Sequence, residues 1–149
     1  MIVPFDIYYD DTDHLDKVYH RGQAKIWDGI ELLNHLFEKY PNSEINLDES
    51  QATALRNILA IILWGEYVAW NVSSEMSSCF EDFGAKMAAV SQAHDEARHF
   101  YVIRNYLQKR LDYRPRAIFK PALKVLEEVS RTKNLSKKLL GLQLMVEPV

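Results

Sequence analysis

The apolar positions of this chain read as a succession of helices, and the polar, Gly and Pro positions between them mark where each one ends. Residues 1–11, with Pro4 and Tyr8-Tyr9-Asp10-Asp11, show no helical period and are expected to be irregular. Thr12 or Asp13 can cap a first helix, whose mixed apolar face includes Leu15, Val18, Tyr19 and Ile26 before Asp28-Gly29 interrupts it. Ile30 to Phe37 reads as a short amphipathic helix ending before Pro41, and a loop is expected from Pro41 to Leu47.

Two long helices follow. Asp48 or Ser50 begins the first, with acids at its start that suit the positive helix terminus. Its apolar residues, from Ala54 and Leu55 through Ile62, Leu63 and Trp64 to Val68 and Ala69, lie on nearly every side, which predicts a central, wholly surrounded helix. Glu66 interrupts the most apolar part of that run, Ile58 to Val68. A polar break at Glu81-Asp82-Phe83-Gly84 separates it from a return helix over about Asp82 to Leu111, apolar at Met87, Val90, Ala93, Ala97, Tyr101 and Ile103. Beyond Asp112 to Arg116, a helix from Pro121 to Arg131 presents Leu123, Val125, Leu126 and Val129, and a last helical run begins at Leu135 and continues to the C-terminus. The predicted organisation is one all-α helical domain over 1–149. It comprises an N-terminal extension and helices (1–47), a helical hairpin (48–111), and a connecting helix with the start of a second half (112–149).

A chain of 149 residues, 48% hydrophobic and 26% charged, supports one core and not two. A net charge of −3 without a basic run argues against nucleic acid as a partner. The single Cys79 excludes an internal disulfide and a Cys-rich zinc site, and suits a reducing compartment. The most apolar run, Ile58 to Val68, is broken by Glu66 and falls short of the ~20 residues that cross a bilayer. Met1 to Ile7 lacks the basic region of a signal peptide, so no membrane association and a cytoplasmic location are expected.

Candidate chemistry centres on Gln92-Ala93-His94-Asp95-Glu96-Ala97-Arg98-His99, read together with Glu66. Residues i and i+3 of a helix sit about 60° apart, so Glu96 and His99 can reach one metal ion from one face. Glu66 and Glu96 are 96 − 66 = 30 residues apart with the break midway. In an antiparallel hairpin each carboxylate would lie roughly 22 Å from the turn, level with the other. Iron prefers hard carboxylate oxygen with some imidazole, and a metal-bound imidazole needs an acceptor for its other N–H. Asp95 and Gln92 are candidates for that supporting role. A plainer alternative makes Glu66 a buried carboxylate paired with Arg98 or Arg104, and His99 a core histidine. His94 is expected at the surface, and His14, His20 and His35 have no ligand partner at helical spacing. Leu142 to Val149 echoes Ile61 to Val68 and places Glu147 where Glu66 stood, although Pro148 can equally just end the helix.

Glu66, the Asp95-Glu96-Ala97-Arg98-His99 motif and Glu147 together resemble the first half of a ferritin-like di-iron carboxylate protein. Within that superfamily the pattern is similar to the ribonucleotide-reductase-like branch, including the p-aminobenzoate N-oxygenase type. Arg21-Gly22-Gln23-Ala24-Lys25-Ile26-Trp27-Asp28 also resembles the segment that precedes the bundle in such oxygenases. The likeness runs from Arg21 to Val149, and its specific part is the hairpin. It implies a ferritin-like bundle whose ligands are Glu66 and His99 on a first iron, a bridging Glu96, and Glu147 on a second. Two irons are implied, with manganese as the other metal compatible with the ligand set.

The activity implied is that of an O2-activating oxygenase or oxidase acting on a small organic substrate. The alternatives are an iron-binding or ferroxidase protein and a helical interaction domain without metal. Two departures qualify the likeness. No second Glu-x-x-His follows His99, and Ile103 stands where reductase small subunits carry a radical-storing tyrosine. The domain is therefore expected to be incomplete at 149 residues, with the missing ligands in further sequence or in a homodimer that pairs two half-sites. Neither the substrate nor the electron donor is legible in the sequence.

Overall fold

The computed structural model describes residues 14–41 and 46–142. The described residues form helices and connecting turns without a strand. The helices are α1 (His14–Ala24), α2 (Gly29–Lys39), α3 (Glu49–Cys79), α4 (Phe83–Arg110), α5 (Lys120–Arg131) and α6 (Leu135–Gly141). The expected irregular N-terminus, its Thr12 or Asp13 cap, Glu147 and the continuation of the last helix lie outside the described residues.

The hairpin of α3 and α4 is the frame. Asp48 starts α3 through a reciprocal capping box: its side chain accepts from the Gln51 N–H at 2.8 Å, and the Gln51 side chain accepts from the Asp48 N–H at 3.1 Å. With 31 residues α3 is about 46 Å long. Phe80 and Glu81 turn the chain, and Asp82 caps α4 by accepting from the Ala85 N–H. The break thus falls one residue earlier than the Glu81-to-Gly84 stretch suggested. At its far end α4 closes on Asp112, which adopts φ 44°, and the Tyr113 N–H donates to the Leu107 carbonyl at 2.9 Å. That is the left-handed cap of a Schellman-type ending, in a residue type that tolerates it.

α1 and α2 pack on α4, α5 packs on α3, and α6 on α5. The core joins Val68, Ala69, Val72 and Met76 of α3 to Ala89 of α4, Leu126 and Val129 of α5, and Leu142. Each fully buried aliphatic side chain there contributes about 1.5–3 kcal/mol. Two cationic side chains fasten the periphery. Arg110 donates to the Leu36 and Tyr40 carbonyls, and its guanidinium lies 4.8 Å from the Phe37 ring centroid, so the end of α2 is held to the end of α4. The buried Lys138 of α6 pairs with Glu75 of α3.

Among the described residues α3 is not surrounded on all sides, contrary to the sequence expectation. Ile58 is 56% exposed and Ile62 41%, so the described helices leave part of the apolar surface of α3 open. Periodicity records which faces avoid water; it does not say what covers them. No helix of the described residues is long and apolar enough to cross a membrane.

Candidate metal centre

Midway along the hairpin, Glu66 of α3 meets Glu96 and His99 of α4. Ligand-type atoms of the three residues all lie within 4.8 Å of one another. Both carboxylates approach the same imidazole nitrogen: Glu96 Oε2 is 3.2 Å and Glu66 Oε2 3.5 Å from His99 Nδ1. The convergence follows from the antiparallel register set by the turn after Cys79, together with the i, i+3 spacing that stacks Glu96 and His99 on one face of α4. Glu96 is 3% exposed, a depth at which an ionised carboxylate needs a cationic partner.

In the metal-free site that partner is the imidazolium. Hydrogen bonds donated by the ring to Glu66 and then to Glu96 favour its charged form and outweigh its partial burial, and the two negative charges add to the effect. The His99 pKa is thereby pushed up from 6.5 to about 10. The alternative pairing of Glu66 with Arg98 or Arg104 is not what the structure shows. Arg98 binds Asp95, one turn away on its own helix, and donates to the Trp27 carbonyl at 3.2 Å.

The connection between α1 and α2 lies against the His99 side of this triad. Residues Lys25 and Ile26 turn back on Gly22 and Gln23 through backbone hydrogen bonds, and Asp28 caps α2 by accepting from the Ile30 and Glu31 N–H groups. Trp27 is thereby held between His99 and Arg98. Its ring stacks on the imidazole at 5.8 Å between centroids and 21° between planes, and the Arg98 guanidinium lies 5.0 Å from its centroid. Sequence reasoning assigned no role to Trp27. Its signal was its place in a short segment between two helix signals, with Asp28-Gly29 directly behind it.

Asp95, expected to support the imidazole, is engaged by Arg98. Gln92 sits one turn before Glu96 and shares with Glu96 and His99 the lining of a cleft of about 710 Å³. The other walls of this cleft include Leu15 and Val18 of α1 and Ala88 of α4. His94 is exposed, as expected. Glu147 lies outside the described residues, so the described part of the chain offers three donors.

The donor set fits iron or manganese: two hard carboxylates and one imidazole, without sulfur. Each carboxylate also has a second oxygen with which it can reach a further ion. Among the described residues this is where acidic and histidine side chains gather in the manner of a metal site. Comparison with models of protein families, with curated proteins and with solved structures returns no match for this chain.

Proposed function

We propose that the chain forms a ferritin-like non-haem di-iron centre, of which Glu66, Glu96 and His99 are the described ligands, and that it is an O2-activating oxidoreductase acting on a small organic substrate. The observation that carries this reading is the convergence of those three side chains from two antiparallel helices, with Glu96 deeply buried. It is the arrangement by which carboxylate-bridged sites are built into helical bundles. Iron, when bound, would supply the redox chemistry with O2.

The residues of the chain have separate tasks. Glu66 and His99 would hold a first ion, and Glu96 would be a ligand available to it and to a second one. Trp27 keeps water from one face of His99 and fixes the ring plane. The cleft walled by Leu15, Val18 and Ala88 admits an apolar molecule to Glu96 and His99. The remaining ligands of a two-ion centre, Glu147 among them, belong to this reading but not to the described geometry. A cytoplasmic location accords with Cys79, an exposed free thiol.

The test is anaerobic Fe(II) titration of the full chain, with iron counted and its Mössbauer spectrum recorded before and after O2. Iron retained by the parent protein and lost in His99→Ala and Glu96→Gln is the expected result. A coupled iron pair with turnover of an organic substrate supports the oxidoreductase, whereas mineral growth without turnover would make it a ferroxidase. Unchanged iron stoichiometry in His99→Ala would overturn the site.

A further inference from the structure

A second cavity, of about 550 Å³, lies between α3 and α5. Trp64 and Val68 contribute to its α3 wall. They stand two residues either side of Glu66, which places them about 160° around the helix axis from it. The cavity therefore opens on the side of α3 away from the carboxylate and imidazole cluster. Ile118 and Leu126 complete an apolar interior, and the volume is within the roughly 300–1,000 Å³ of small-molecule sites.

Its charge is lopsided. Near the end of α5, Arg131 is compensated by Glu127 at 3.6 Å. At the start of α5, Arg116 and Lys120 also line the cavity, and neither has a carboxylate within ion-pair distance among the described residues. Lys120 and Arg131 are 11 residues apart (131 − 120), so the uncompensated end lies about 16 Å along α5 from the compensated one. An apolar trough with two cations at one end that have no carboxylate partner among the described residues has the shape and charge for an elongated apolar molecule bearing one anionic head.

We propose that the α3–α5 cavity binds an amphiphilic carboxylate, its apolar body against Trp64, Val68, Ile118 and Leu126 and its carboxylate between Arg116 and Lys120. A carboxylate is favoured over a phosphate because both cations are exposed to water. There a monoanion keeps part of its hydration, whereas a dianion would call for several enclosed donors. The apolar contacts supply affinity, and the two cations set orientation and select charge.

The test uses the metal-free full chain, so that its outcome is independent of the di-iron reading. Decanoate, decanol and decyltrimethylammonium are titrated by calorimetry below their micelle concentrations, at low and moderate salt. Decanoate is expected to bind with a stoichiometry of one, on the order of tenfold to a hundredfold more tightly than decanol, with the advantage shrinking as salt rises. The double variant Arg116→Gln/Lys120→Gln should lose that advantage while leaving decanol binding unchanged. Leu123→Trp, a change at a half-exposed position of the wall, should weaken both ligands by filling the trough. Equal binding of decanoate and decanol would overturn the proposal, as would an unaltered preference in the double variant. So would sedimentation showing that a second copy of the chain occupies the cavity and excludes decanoate.

Discussion

On the proposed reading a proton and a metal ion would compete for His99, and that competition would make the protein respond to pH. In the unfolded chain the imidazole titrates near 6.5; between the two carboxylates it is held up to about 10. A group raised on folding stabilises the fold fully below its unfolded pKa and loses that contribution as pH climbs through its folded one. The metal-free protein should therefore lose stability between about pH 6.5 and 10, over and above whatever its other groups do. The effect is tempered because the His99 side chain is 43% exposed. Thermal melts across that range should show the loss in the parent and not in His99→Phe. The same proton must leave when a metal arrives. Mn(II) binding at neutral pH should release about one proton per site, measured by calorimetry in buffers of different ionisation enthalpy, and should tighten as pH rises. Binding without proton release would mean that the ion does not sit at His99.

At the scale of the helices, one small pair lets α1 come close to α4. A Cβ placed on Gly22 would come 2.1 Å from Ser91 Oγ and 3.4 Å from Ser91 Cβ. The approach is close because neither helix carries bulk at the crossing, and it sets both the cleft beside Glu96 and the point from which the chain runs on to Trp27. Gly22→Ala should cost about 1–3 kcal/mol by overpacking, despite the better helix propensity of alanine. Adding Ser91→Ala removes the hydroxyl and leaves only ordinary contact, so the double variant should recover most of that loss in denaturant unfolding. Simple additivity of the two substitutions would show that the helices are not in contact through this pair.

For the molecule as a whole, the triad is a cross-link between the two longest helices, and an ion held there would bind the folded chain alone. At free metal of about 100 times the dissociation constant, such linkage adds roughly 2.7 kcal/mol. The melting temperature should accordingly rise with Mn(II) in the parent and stay fixed in Glu66→Gln. How much of this architecture the sequence disclosed depends on how local its cause is. Helix bounds came from caps and breaks such as Asp48, Asp82 and Asp28-Gly29, which act within a turn. The meeting of Glu66 with Glu96 and His99 was legible because a single turn fixes the register of an antiparallel pair. The cover supplied by Trp27 was not, since Trp27 and His99 are joined only by the way α1 folds back across α4. Nor was the exposure of Ile58 and Ile62, for an apolar residue looks the same in sequence whether or not a neighbour has been found for it.

The stacking of Trp27 on His99 also gives the protein an optical handle. An excited indole is an electron donor, and it is quenched by a protonated imidazole or a redox-active ion in van der Waals reach. Trp27 lies against the imidazole, whereas Trp64 and Trp70 engage Tyr67 on the α3 side. Its emission should be dim in the metal-free protein at neutral pH and change as an ion displaces the proton. It should brighten in His99→Phe. In Trp27→Phe most of the metal-dependent signal should vanish while Trp64 and Trp70 continue to emit, so ordinary ultraviolet fluorescence would follow the occupancy of the centre in real time.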